Sequence, residues 1–212
     1  MKKTSALRTV VNFLWIKNPL LIYGLSVVTV VMTTTSLNSA VSVCIALVIM
    51  MFPTTLTALI LGDKLLPEIR FVIYTLVSSL AYIPAVMAVK ALFPQSVATL
   101  TIYLPLLAVN ELVVLRADRY ANKRSVGFAL ADTVGCIISF VLTMLFIAFV
   151  RELLGSGSLF GYKVLKHSNP EVLLPFMGFI IAGFSAALFK HVQAMMVVSI
   201  RHHRHKKTKK QD

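Results

Sequence analysis

An acidic side chain interrupts an otherwise apolar stretch of this chain. Glu111 follows Asn110 in the segment from 104 to 115, and Arg116 comes five residues later. Because carboxylates within membrane spans are costly, such a residue indicates ion or proton transfer, with Glu111 carrying a proton or binding Na⁺ beside carbonyl groups. The alternative is a topological anchor. Glu111 lies within about 8 Å of the helix end, close enough to reach the interface and pair with Arg116 or Arg119.

A charged pair closes a second apolar segment. Arg151 and Glu152 begin the run RELLGSGSLFG, which contains Gly155 and Gly157 and ends at Gly161. Glycines suit a chain that must leave a helix and turn. Two interpretations stay open here, a structural helix end and a surface that docks a partner.

Three further side chains lie within apolar segments. Asp132 begins the apolar part of one segment. One interpretation is a contact with the interrupted helices. The commoner one for this position is a helix-entry aspartate stabilised by the helix dipole. Cys44 and Cys136 are isolated, and lone membrane cysteines behave as small apolar residues, whereas cluster ligation normally takes four thiolates. The sequence has no Walker loop, dinucleotide-binding glycine motif, zinc-type cysteine spacing or nucleophile elbow. We therefore predict no catalytic residue and no metal site.

The elements that must position these residues are membrane helices. The chain has 212 residues, of which 58% are hydrophobic and 14% charged, more apolar than a soluble domain. Spans in lipid must satisfy their own backbone hydrogen bonds and need about 20 apolar residues. The fold class predicted is all-α and polytopic, a single domain over 1–200 with halves of about 19–93 and 97–190 and a basic tail at 201–212. The six predicted transmembrane helices cover 19–36, 38–61, 70–93, 97–115, 126–150 and 172–190.

Two of these helices are interrupted at corresponding places. Helix 1 contains Gly24 and Ser26, and helix 4 contains Pro105 and Asn110. Such a pattern predicts an inverted repeat of two three-helix halves whose broken helices meet near the membrane midplane. A gapless overlay of 39–52 on 131–144 adds modest support.

The net charge of +13 arises mainly from basic residues beside the apolar spans. There they set topology and contact membrane lipid, so no nucleic acid partner is predicted. With the N-terminus inside, sixteen Lys and Arg residues lie on the cytoplasmic side and four, Lys90, Arg151, Lys163 and Lys166, lie outside. Both termini are therefore expected to be cytoplasmic.

Several of these motifs resemble the six-helix subunits of the Rnf and Nqr complexes, of the RnfE/NqrD-like type with RnfA/NqrE relatives. The resemblance is carried by Pro105-Leu106, Val109-Asn110, Arg116-Ala117-Asp118, Asp132 and most specifically the run from Arg151 to Gly161. It implies a subunit of an ion-translocating electron-transport complex in the bacterial cytoplasmic (inner) membrane. The implied partners are an oppositely oriented sister six-helix subunit and flavoprotein subunits, one of which the Arg151 motif would dock.

The resemblance also implies a cofactor whose cysteine ligands this chain lacks at the corresponding positions. Family members carry two membrane cysteines that, with two from the sister, ligate a 2Fe-2S cluster, while FMN or another flavin belongs to partner subunits. The two cysteine positions fall on Val28 and Glu111, so no cofactor is expected on this chain alone. It is predicted to be a divergent paralogue, at most a non-catalytic subunit of a translocase. The alternatives are a cluster-free transporter of an ion or small molecule that uses Glu111, and a structural scaffold for membrane flavoproteins.

Overall fold

A computed structural model describes residue 24 and residues 26–118, 126–166 and 168–208, and it confirms an all-α, polytopic membrane protein. Four helical segments in that part of the chain are long and apolar enough to cross a membrane, and a shorter apolar one covers Tyr103–Leu115. The count of six spans stays a prediction, since residues 19–23 and 25 of predicted helix 1 lie outside the described residues. The four long segments are Leu37–Lys64, Pro67–Leu92, Ala129–Gly155 and Pro175–Val192.

The first described helix is short. Helix α1 covers Val27–Thr33, and Gly24 and Ser26, just before it, have positive φ angles of 66° and 64°. This left-handed backbone is not helical, so the chain departs from helical geometry at Gly24 and at Ser26, within predicted helix 1. At 1.5 Å per residue, α1 is only about 10 Å long.

Helices α2 (Leu37–Leu61) and α3 (Pro67–Leu92) form a long antiparallel pair. Helix α2 begins at an N-cap, where Ser36 Oγ accepts a hydrogen bond of 3.2 Å from Ser39 N. Helix α3 begins with Pro67, whose missing N–H costs nothing in a first turn. These two helices give the bundle its full height, about 37 Å for the 25 residues of α2.

The fourth predicted span is broken into short pieces. These are α4 (Pro94–Thr99), α5 (Tyr103–Leu106), a 3-10 turn (Leu107–Val109) and α6 (Glu111–Asp118). Asn110 separates the last two with an extended backbone (φ −66°, ψ 133°). The predicted interruption is therefore present, a few residues after Pro105.

Helix α7 (Val126–Gly155) crosses the whole bundle and leads into a small hairpin of β1 (Ser158–Leu159) and β2 (Tyr162–Lys163). A 3-10 turn (Pro170–Leu173) then precedes α8 (Pro175–Thr208). We call this end of the bundle the hairpin face. The opposite end carries the ion pair between Arg70 and Asp118, 3.8 Å apart, and is called the Arg70 face.

The basic segment predicted as a separate tail is, through Thr208, a continuation of α8. The domain boundary predicted at residue 200 therefore coincides with no break in the helix.

The buried core lies between α2 and α7, where Leu47, Met50, Phe140 and Met144 are fully buried. The outer faces of α3 and α8 instead expose large apolar side chains such as Leu80 (60%) and Phe184 (77%). Exposed apolar faces of this extent suit contact with lipid tails or with other membrane subunits.

Candidate functional site

The first turns of α1 and α6 meet inside the bundle, and Asn110 joins them. Its Oδ1 accepts hydrogen bonds from Leu112 N at 2.8 Å and from the Ser26 hydroxyl. Its Nδ2 donates to Thr29 Oγ1 at 3.1 Å. Asn110 thus caps α6 and holds the beginning of α1, and the two short helices run from this point toward opposite faces. This is the arrangement that the inverted repeat predicts.

A cleft of about 240 Å³ opens beside this junction. Val28 and Glu111, which the resemblance pairs as ligand positions, both line it, and both are exposed at the surface of the chain, Val28 by 56%. Glu111 is the first residue of α6. Seven residues line the rest of the cleft: Gly24, Ser26, Val27, Thr29, Leu106, Val109 and Asn110.

These lining residues do not fit an iron–sulfur cluster, which needs thiolate or imidazole ligands. They offer one carboxylate, two hydroxyls, an amide and apolar groups. Both cysteines lie elsewhere. Cys44 Sγ is 3.7 Å from Met144 Sδ in the core, and Cys136 is fully buried on α7. The chemistry open to the cleft is that of a single carboxylate, which can bind a cation, carry a proton or pair with a basic side chain.

The model of the Rnf-Nqr subunit family, described as a membrane protein, matches residues 6–196. The chain belongs to this family. It is 32% identical to the E subunit of a proton-translocating ferredoxin:NAD(+) oxidoreductase complex from Clostridium ljungdahlii, over 82% of this chain and 83% of that relative. It is 27% identical to the E subunit of the Na(+)-translocating ferredoxin:NAD(+) oxidoreductase complex of Acetobacterium woodii, over 74% and 81%. The D subunit of a Na(+)-translocating NADH-quinone reductase from Shewanella halifaxensis is 28% identical, over 78% and 83%.

The most specific family-like motif, which begins at Arg151, forms a clamp at the hairpin face. Arg151 is fully buried, and its guanidinium donates to Val31 O and, at 2.9 Å, to Thr34 Oγ1 at the end of α1. It also donates to Leu173 O at 2.7 Å and to two neighbouring carbonyl oxygens at 3.3–3.4 Å, those of Val172 and Leu174. Carbonyl groups at helix ends lack intrahelical partners, so one side chain satisfies the end of α1 and the turn before α8.

Glu152 completes the clamp on the next helix. Its carboxylate accepts a hydrogen bond from Leu37 N, in the first turn of α2, where an acidic group is also favoured by the helix dipole. Arg151 and Glu152 are 0% and 5% exposed, so neither is available to a partner, and the structural interpretation of this pair is the one the contacts support.

Glycines permit close packing and a tight turn in the same region. A Cβ on Gly178 of α8 would lie 2.8 Å from Val31 Cγ1 and 3.0 Å from Arg151 Cζ. A Cβ on Gly155, the last residue of α7, would lie 2.6 Å from Leu173 side-chain atoms. Gly157 has a φ of 65°, which suits glycine in the turn, and its carbonyl accepts hydrogen bonds from the backbone after β2.

Asp132 and Arg116 complete the predicted set. Asp132 is buried on α7, which begins at Val126, so the first turn of that helix holds no acidic residue and the helix-entry interpretation is wrong. Arg116 belongs to α6, but its side chain is outside the described set, as is the whole of Arg119. The anchor interpretation of Glu111 therefore stays a prediction.

Four residues of the site escaped prediction as site residues, although Gly24 and Ser26 marked the interruption. Ser26 and Thr29 bind Asn110, while Thr34 and Gly178 meet Arg151. A serine two residues after a glycine within an apolar span was a usable signal. No local sequence pattern connects Thr34 or Gly178 with Arg151, which is more than 20 positions away from each of them.

Proposed function

We propose that this chain is the E/D-type membrane subunit of an ion-translocating oxidoreductase complex of the bacterial cytoplasmic membrane. Membership of the Rnf-Nqr family carries the proposal, since the relatives named above are subunits of such complexes. The cleft at the junction of α1 and α6 supports it, because it opens to the surface of the chain where a second subunit can complete it. The partners proposed are an oppositely oriented sister subunit and flavoprotein subunits.

The chain is further proposed to bind no iron–sulfur cluster. The cleft places Val28 and Glu111 together without a thiol among its described lining residues. In this proposal the subunit keeps the architecture of an electron-transport subunit and its contribution to ion movement, while electrons pass through other subunits. Glu111 is the candidate group for the ion or proton pathway.

The proposed orientation has both termini in the cytoplasm. The distribution of basic residues supports it, since Lys64 and Arg70 lie at one end of the bundle and Lys163 and Lys166 at the other, with most of the remaining Lys and Arg residues predicted on the former side. The hairpin face is then extracytoplasmic.

Purification of the tagged chain from its own membranes in mild detergent tests this function. We expect a sister subunit and at least one flavoprotein to copurify, with flavin in the complex. When the pair formed by this chain and its sister subunit is separated from the other subunits, we expect the pair to contain no iron. A stoichiometric cluster bound by this chain would overturn the cluster-free assignment, and recovery of the chain alone with neither cofactor would overturn the proposed function.

The exposed carboxylate of Glu111 favours one second candidate, a cluster-free transporter of an ion or small molecule. Reconstitution of the purified chain alone into vesicles separates the two. Ion uptake by the isolated chain that is lost in Glu111→Gln would support the transporter, whereas uptake only by the whole complex would support the subunit.

A further inference from the structure

A second cavity lies at the hairpin face, apart from the junction of α1 and α6. It has a volume of about 380 Å³ and lies between the end of α7 and the segment that follows β2. Two lysines and two serines line it together with two apolar residues: Ser156, Lys163, Val164, Leu165, Lys166 and Ser168. The proposed function assigns no role to this cavity.

Backbone hydrogen bonds fix the shape of the cavity wall. Gly157 O accepts hydrogen bonds from Val164 N at 2.8 Å and from Leu165 N at 2.9 Å. Farther along the chain, Leu154 O accepts a hydrogen bond of 3.1 Å from Asn169 N. The segment after β2 is therefore attached to the end of α7 at both of its ends. Its lysine, and the one in β2, are positioned by the fold rather than carried on a free loop.

The acidic residues at this face do not neutralise the positive charge of the cavity. In the described part of the chain they are Glu152 and Glu171. Glu152 is buried in the clamp, where its carboxylate accepts a hydrogen bond from Leu37 N. Glu171 is exposed on the 3-10 turn, and within the described residues it forms no ion pair with Lys163 or Lys166. Because two ammonium groups around one cavity repel each other, an anion between them is stabilising.

The cavity lies at the depth of the lipid headgroups. Helix α7 is apolar up to Gly155, where its candidate membrane span ends. The hairpin follows directly, so it lies just outside the hydrocarbon core, in a polar layer roughly 5–7 Å thick. Beside the lysines, Phe160, Tyr162 and Val164 are 51%, 79% and 56% exposed. Aromatic and basic side chains at this level are typical of a surface that contacts lipid.

These neighbours favour one kind of anion. Ammonium groups form strong, charge-assisted hydrogen bonds with phosphate oxygens. A free phosphate ion or an acidic protein surface would pair with the lysines and leave the apolar side chains of the hairpin uncovered. A phospholipid satisfies both, because its acyl chains cover these side chains while its phosphate lies between the lysines.

We propose that this cavity binds the headgroup phosphate of an anionic phospholipid. Lys163 and Lys166 pair with the phosphate oxygens, and the acyl chains lie against the exposed apolar side chains of the hairpin. A zwitterionic lipid carries its own ammonium group beside its phosphate, so it gains less from the two lysines. This inference is independent of the proposed function, since it needs neither a sister subunit nor a path for ions or electrons.

Titration with short-chain lipids, followed by native mass spectrometry of the protein as purified in mild detergent, tests the site. We expect phosphatidylglycerol to bind at least about tenfold more tightly than phosphatidylcholine, and Lys163→Gln/Lys166→Gln to lose this preference. The matched control is Lys64→Gln/Lys90→Gln, which removes two exposed charges elsewhere and should keep the preference. Equal binding of the two lipids by the wild type would overturn the proposal, as would an equal effect of the two double variants.

Photolabelling in native membranes distinguishes the sources of the anion. An anionic phospholipid with a photoreactive headgroup should label the peptide that contains Lys163 and Lys166 in the wild type and not in the double variant. A large excess of inorganic phosphate should not compete. Competition by phosphate would show a site for the free ion. Labelling that appears only after the chain is separated from other proteins would show that an acidic protein surface covers the lysines, and either result would overturn the proposal.

Discussion

At the scale of single residues, Asn110 decides how the two short helices meet. One amide group caps α6 through Leu112 N and ties it to α1 through Ser26 and Thr29. Within a membrane protein, each such hydrogen bond has no water to replace it, so the loss of one residue leaves several buried polar groups unsatisfied.

Replacement of Asn110 by leucine should therefore destabilise the protein by about 1–3 kcal/mol, since measured membrane hydrogen bonds are individually modest and three are lost together. Thermal unfolding in detergent measures the effect. The control is Asn38→Leu, the same change at an exposed position of α2, which should leave the midpoint nearly unchanged. Equal midpoints for the two variants would contradict the role given to Asn110.

Arg151 is the second residue on which several elements depend. Lysine cannot replace it, because a single ammonium group cannot donate along the directions of five acceptors that a planar guanidinium reaches. We expect Arg151→Lys to lower stability by about 2–4 kcal/mol and Arg151→Met by at least as much, since buried carbonyl groups are left unpaired. Lys90→Met, at an exposed site of α3, is the control and should have little effect in the same unfolding assay.

At the scale of elements, the clamp brings α1, α7 and α8 together at the hairpin face. The length of the apolar stretches predicted the long helices well, because an apolar stretch of 20 or more residues has few alternatives in a membrane. The interruptions were also visible, at Gly24 and Ser26 and near Pro105. The clamp itself was not, because Arg151 contacts residues 117–120 positions away and 21–23 positions away, and no local pattern encodes such pairs.

Two glycines of α8 give a sharp test of this packing. A methyl group on Gly178 would press on Val31 and Arg151, whereas one on Gly183 meets nothing within 4 Å. Gly178→Ala should therefore destabilise the protein. Gly183→Ala should be neutral or stabilise it by up to about 1 kcal/mol, since alanine is the better helix former. A rank order in the opposite sense, measured by chemical unfolding in detergent, would contradict the close approach of α1 and α8.

At the scale of the whole molecule, the two short helices leave the central junction in opposite directions, and the cleft beside it opens outward. Only a family resemblance predicted that Val28 and Glu111 are equivalent positions, since they are 83 residues apart and neither side chain carries a thiol. Their meeting in one cleft depends on the fold of both halves. The overall charge pattern, in contrast, is readable directly from the sequence, and it predicts which face is cytoplasmic.

Cysteine labelling in intact cells tests that orientation. Lys163→Cys, on the hairpin face, should react with a membrane-impermeant maleimide from outside, and Lys64→Cys, near the Arg70 face, should react only after permeabilisation. Both native cysteines are buried, so their background labelling should be low. Labelling of Lys64→Cys in intact cells would show the reverse orientation.

The guanidinium of Arg151 has a mechanical consequence. Because it binds the end of α1 and the turn before α8 at once, and Glu152 holds the first turn of α2, the hairpin face cannot act as a hinge without exposing a buried charge. Any rocking motion that widens or narrows the cleft must then pivot on the opposite half, where α6 is attached through Asn110 and an extended residue.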